Sequence, residues 1–167
     1  MRSSEILTEA ARRPLEAALA LRESLTPEAI NAHPGGHDNS IAWLLWHTGR
    51  EIDAQTAALS GDEQVWEQRG FDRRFGLGEL GAGIGYGHSP DQARALVVDD
   101  AELLLEYLAA ATDALVSYIN ELEDAQLGEV IDDSYDPPIT RGVRLVSIID
   151  DASQHIGQAA YASGMLR

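Results

Sequence analysis

The chain has no cysteine, so it can form neither a disulfide nor a thiolate zinc site, and any thiol chemistry must use a thiol supplied from outside. Positive charge is scarce as well: 12 Lys plus Arg stand against 28 Asp plus Glu, a formal charge of −16 at pH 7. A surface of that sign repels phosphate backbones and anionic lipid. It argues against a nucleic-acid or membrane role, and for small molecules or further copies of the chain as partners. Long apolar runs are missing too. None approaches the ~20 residues needed to span a bilayer, and the chain does not open on a basic stretch followed by an apolar one, so a soluble, cytoplasmic protein is expected. The length of 167 residues suits one domain, residues 1–167, with room for a core.

Helical periodicity fills most of the chain, and no sustained alternating strand pattern accompanies it. The first long segment runs from about Ser4 to Leu25, with Ile6, Leu7, Leu15, Ala18 and Leu19 as its apolar positions and Pro14 as a kink or start signal. Thr26 then caps a short turn over Pro27 to Asn31. A second long helix starts at a cap on Asp38 or Ser40 and stops at Gly61, with Ile41, Leu44, Leu45, Thr48, Ile52 and Leu59 facing inward. The third, from about Asp100 to Glu123, spaces Leu104, Leu108, Ala111, Leu115, Tyr118 and Leu122 as the seam of an antiparallel bundle does. The fourth follows Asp136-Pro137-Pro138, is capped by Thr140, and turns Leu145, Ile148, Ile149, Ala152, Ile156 and Ala159 inward. Segments of ~20 residues are ~30 Å long, so the expected fold is an all-α four-helix bundle.

The link between the second and third helices is the exception to short connections. Seven glycines lie between Gly70 and Gly87, and Ser89-Pro90-Asp91-Gln92 then forms a capping box. A connection of this length often shapes a site. Its Gly81 to Gly87 stretch follows no strand and lacks a Gly-Lys-Ser/Thr, so it is not a phosphate loop.

With cysteine absent, chemistry falls to His, Asp and Glu. Asp151 and His155 are four residues apart on the fourth helix, one above the other on a face that should be buried. An unpaired carboxylate there would be costly, and a divalent cation satisfies both groups at once. His47, near the middle of the second helix, is the expected third ligand if those two helices are neighbours. Three protein ligands leave a zinc ion open to water or substrate. A core histidine bonded to a core aspartate is the alternative. Glu51, one turn after His47, reads as a general base, a fourth ligand or a solvated acid, and Asp150 as facing away from Asp151. Arg73, Arg74, Arg141 and Arg144 offer either a hold on a substrate carboxylate, Arg141 and Arg144 foremost, or surface ion pairs. His33, His37 and His88 fall in loops and are expected to be exposed, and the three tryptophans to be packing residues. No G-x-S-x-G, H-E-x-x-H or E-x-x-H is present, which excludes a serine-hydrolase elbow, a zincin and a di-iron carboxylate bundle.

The blocks N-S-I-A-W-L-L-W-H-T from Asn39, Glu63 to Trp66, Gly85 to His88, and Asp136 to Tyr161 resemble the DinB-like superfamily. They are most similar to an actinobacterial branch with mycothiol-dependent maleylpyruvate isomerase N-terminal domains and bacillithiol transferase relatives. The resemblance implies a four-helix bundle and a metal, zinc or nickel, held by His47, Asp151 and His155, with an acid at 151 where many relatives have histidine. It further implies a low-molecular-weight thiol of the mycothiol type that attacks a small-molecule electrophile in a transfer or isomerisation, and a possible homodimer. Two other readings stay open. One is a stress-related binding module whose metal is structural; the other is a metal-free bundle acting through a dimer face of small residues, Gly157, Ala159, Ala160, Ala162, Ser163 and Gly164.

Overall fold

A computed structural model describes residues 2–166. Four long helices make the bundle: α1 (Ser3–Leu19), α3 (Ile41–Ser60), α7 (Ala101–Glu121) and α8 (Arg141–Met165). Between them lie the single-turn helices α2 (Pro27–Ile30), α4 (Val65–Gln68), α5 (Phe71–Phe75) and α6 (Pro90–Ala95), and a hairpin of β1 (Val130–Asp132) with β2 (Ile139–Thr140). The caps explain where the helices begin. Thr26, Ser40, Ser89, Asp100 and Thr140 each accept a backbone N–H from the first turn that follows, and Gly61 ends α3 in the left-handed region at φ +83°. Because Ser40 is buried and its Oγ takes the Trp43 N–H at 3.1 Å, Ser40→Ala is expected to cost about 1 kcal/mol. A lower urea midpoint at unchanged slope would register that loss.

Each long helix packs on two others: α3 on α7 and α8, and α1 on α7 and α8. Side-chain contacts give the directions. Thr8 reaches Asn120 and Arg22 reaches Glu102, so α1 and α7 are antiparallel. Asp53 meets Tyr107 while Ser60 lines the same surface cavity as Ser117 and Glu121, so α3 and α7 run the same way. The antiparallel seam expected for the third helix therefore holds toward α1 and not toward α3. Parallel neighbours require the chain to travel back along the bundle, ~30 Å for a helix of this length, and that is the physical reason for the long connection over 61–100. The returning chain buries Trp66, Phe71, Leu96 and Val98, and α7 beneath it is buried on most of its circumference rather than along one seam.

Two other expectations need adjusting. The first helix ends at Leu19, and Arg22–Ser24 forms a separate 3-10 turn. Ile6, 54% exposed, and Leu19, 38% exposed, lie off the buried stripe of Ala11, Leu15 and Ala18, since α1 has packing partners on one side only. The hairpin escaped notice because strands of three and two residues are too short to show a period. Among the described residues no helix is long and apolar enough to cross a membrane.

Candidate metal centre

α3 and α8 lie side by side and antiparallel, with Glu51 level with Asp151 and His155, and Gln55 to Leu59 level with Arg141 and Arg144. One turn of α3 carries His47 and Glu51, and one turn of α8 carries Asp151 and His155. The pairing brings four ligand-type atoms within 4.8 Å of one another. The Glu51 carboxylate lies 3.8 Å from His47 Nε2 and 4.0 Å from His155 Nε2, and Asp151 lies 3.5 Å from His155 Nε2. These separations are too long for good hydrogen bonds. The 3.5 Å pair is close to the ~3.4 Å edge of a tetrahedron whose centre is ~2.1 Å from each corner, and the longer pairs would have to draw in to grip a zinc-sized ion.

The orientation of the imidazoles supports the same fit. His47 Nδ1–H donates to the carbonyl of Ile84, and His155 Nδ1–H donates to Gln158 Oε1 at 3.3 Å. Each ring thus turns Nδ1 to an outer oxygen and Nε2 toward the other donors, the orientation in which a second hydrogen bond sets a metal-binding imidazole. His47 is buried, stacked on Trp43 at 4.5 Å and edge-on to His155 at 4.7 Å. Burial above all, with His155 and His88 adding to it, holds its pKa below the ordinary value against the opposing pull of the Ile84 carbonyl and Asp151. The neutral, ligating form is therefore favoured.

The glycine-rich return segment is the outer wall of this site. At Gly85, φ +90°, a Cβ would come within 2.8 Å of Trp46, 3.1 Å of Trp43 and 3.2 Å of His47 Nδ1, so only glycine lets the backbone approach close enough for Ile84 to reach the imidazole. His88 is half-buried here rather than exposed as expected. Its Nδ1 accepts the Trp43 indole N–H at 3.2 Å, and its ring stacks on Trp46 at 5.9 Å. His33 and His37 remain in their loop, with His33 Nδ1 donating to the His37 carbonyl at 2.9 Å.

The structure does not bring Arg141 and Arg144 to the four donors. Arg141 pairs with Glu129 at 2.8 Å and with the Tyr118 hydroxyl, and Arg144 lies 3.9 Å from Asp132. Arg144 precedes Asp151 by seven residues, ~10 Å along the helix axis. Arg74 is bound to Glu106 on the surface, and Asp150 turns to Gln154.

Sequence reasoning missed a buried polar network next to the site. Asp53 accepts the backbone N–H groups of Val65 and Trp66, both at 2.8 Å, and the Tyr107 hydroxyl at 2.9 Å. Arg50 lies over the Trp66 ring at 4.5 Å and donates to Gln64 Oε1 and to the Gly83 carbonyl, both at 3.1 Å. Burial, followed by the Asp53 charge, pushes the Tyr107 phenol well above its usual pKa and keeps it a donor. The available signal was Arg50 and Asp53 at helical spacing on the stretch that also carries Trp46 and Ile52, a pair of opposite charges facing a core.

Fold and site together define an all-α bundle with a histidine and carboxylate cluster set between two of its long helices. The chain belongs to the DinB superfamily, whose family model matches residues 9–159. It is similar to a conserved protein from Enterococcus faecalis of known crystal structure, at 35% identity over 99% of this chain and 97% of that one, with a TM-score of 0.91. No curated protein matches the chain.

Proposed function

We propose that the protein is a divalent-metal-dependent enzyme that uses a small thiol of the mycothiol type for transfer or isomerisation. His47, Asp151 and His155 would hold zinc or nickel, and Glu51 would serve as the base. The observation that carries this reading is the anchoring of both Nδ1 atoms outward, which leaves both Nε2 atoms and two carboxylates converging on one point. When bound, a divalent ion supplies stabilisation of a thiolate near neutral pH. Glu51, about equally far from the two imidazoles, is placed to take the thiol proton, and the freed sulfur then displaces the leaving group of the electrophile in a transfer, or adds to a double bond and is expelled again as the bond re-forms in an isomerisation. The Ile84 carbonyl and Gln158 keep the two rings in register while this happens. The absence of cysteine is compatible with the reading, since the thiol then comes from outside the chain. The same proposal places the chain in the mycothiol-using branch of the superfamily, in the cytoplasm and as a homodimer.

Protein purified without an affinity tag should contain close to one transition-metal ion per chain, and less than a tenth of that in His47→Ala and His155→Ala variants. Supplied with mycothiol and monochlorobimane, it should form the conjugate. Chelation should abolish the activity, and Glu51→Gln should lower it at least tenfold with the metal retained. No metal in the native protein would sink the site. Metal without conjugation would sink the thiol chemistry and leave an ion that only ties α3 to α8.

A further inference from the structure

A cleft of about 640 Å³ lies alongside the four donors, on their C-terminal side along α8. It opens between the start of α3, the second half of α8 and the loop around Pro34 to Asn39, and its size is typical of a small-molecule site. It adjoins the candidate metal centre, although none of the four donors is in its lining: Gln158, which lines it, is the residue that holds His155, and Leu44, which also lines it, precedes His47 by about one turn of α3.

The lining is unusual for so acidic a chain. Among the described residues it contains no Asp, Glu, Lys or Arg. Its polar side chains are the amides of Asn39, Gln154 and Gln158 with the His37 imidazole and the Tyr161 hydroxyl, and apolar surface comes from Leu44, Met165 and the Tyr161 ring. Arg94, which binds the same loop, is neutralised by Asp38 at 2.6 Å, and the α8 arginines are at the other end of the helix. The donor set points the same way. Two neutral imidazoles and two carboxylates carry −2, so a divalent ion brings the centre to zero and, beyond the one thiolate that the ion would stabilise, leaves no excess positive charge for a second anionic group.

We propose that this cleft binds the substrate of the metal centre and selects an uncharged ligand with amide or hydroxyl groups beside an apolar part, discriminating against carboxylates. The inference rests on the metal-site reading above. Amide side chains both donate and accept, so they satisfy neutral polar groups without a counter-charge. A carboxylate entering the cleft would lose hydration, meet no Lys or Arg of the described residues and face the field of a chain with charge −16.

Three thiols of similar size test the selection: N-acetylcysteamine is neutral and carries an amide, 3-mercaptopropionate is anionic, and cysteamine is cationic. With cobalt-loaded protein, the sulfur-to-cobalt charge-transfer band should half-saturate with N-acetylcysteamine at a concentration at least tenfold below that for either charged thiol. Gly157→Phe should erase the preference and keep the cobalt, because a Cβ at Gly157 meets nothing within 4 Å and the ring would fill the cleft. In metal-free protein, the Gln154 and Gln158 side-chain amide resonances should shift with N-acetylcysteamine and not with 3-mercaptopropionate. Cobalt binding with equal or tighter uptake of 3-mercaptopropionate, or a preference that survives in Gly157→Phe, would overturn the cleft inference alone. Amide shifts in a protein that takes up no cobalt would overturn the metal reading alone, and the loss of both would overturn both.

Discussion

Replacing Asp53 with alanine is expected to cost about 3–5 kcal/mol, the loss typical of removing one partner from a buried charged pair. Asp53 is 2% exposed and serves three donors at once, two of them the opening N–H groups of α4. Its removal leaves those N–H groups and the Tyr107 hydroxyl without an acceptor, and strips the equally buried Arg50 guanidinium of the carboxylate 4.0 Å away. A protein of this size is stable by only about 5–15 kcal/mol, so a large part of the margin would go. Asp53→Asn keeps acceptor capacity and should fall between the two. Equilibrium urea unfolding, followed by the fluorescence of the tryptophans, would give the order native, Asn, Ala. A loss under 1 kcal/mol in Asp53→Ala would show that the network adds little.

The same substitution should be felt at the candidate metal centre. Arg50 holds the Gly83 carbonyl, the next residue along offers its carbonyl to His47, and Gly85 beyond it rests on Trp43 and Trp46. A guanidinium released from Asp53 can no longer fix that segment, and the His47 ring loses the partner that sets its tautomer. Metal affinity and fold stability are thus expected to fall together in Asp53 variants, whereas Ser40→Ala, which alters only a helix start, should lower stability alone.

The contrast between these two groups of residues shows which features a sequence displays. The caps Thr26, Ser40 and Thr140, the stop at Gly61 and the capping box at Ser89 act over three or four residues, and each is where its local pattern places it. Helical spacing likewise set His47 level with Glu51, and Asp151 with His155, before any packing was known. That the two turns face each other depends on α3 and α8 being antiparallel neighbours, which no local pattern encodes. The parallel run of α3 and α7, the burial of α7 on most sides and the seating of His88 between two tryptophans depend on the course of the return segment. Its glycines mark it as a loop without stating what it covers. Arg50 and Asp53 were hidden for the same reason, since their partners at Gln64, Val65, Trp66, Gly83 and Tyr107 come from three other parts of the chain.

Zinc added to metal-free protein at a free concentration 1,000 times its dissociation constant is expected to raise stability by about 4 kcal/mol, the increment that mass action gives for a ligand bound only by the folded state. The unfolded chain cannot assemble the site, because His47 and Glu51 are separated from Asp151 and His155 by some 100 residues. Without an ion, the carboxylates of Glu51 and Asp151 are held close together across the α3–α8 contact, so the metal also relieves a repulsion. The pH dependence follows from His47. Its folded-state pKa lies below the unfolded 6.5, so the unfolded chain binds the proton more readily. The contribution of His47 to the stability of the metal-free protein should therefore be full above about pH 7, fall as pH drops through 6.5, and flatten once pH is below the folded value. Zinc needs the same nitrogen unprotonated, so the increment should be full at pH 7.5 and shrink in acid. Thermal unfolding with and without zinc at pH 7.5 and 5.5 measures both effects, and the His47→Ala, His155→Ala double variant should show no zinc increment at either pH. A zinc increment of equal size in that double variant would place the ion elsewhere on this acidic surface and remove the basis for chemistry between α3 and α8.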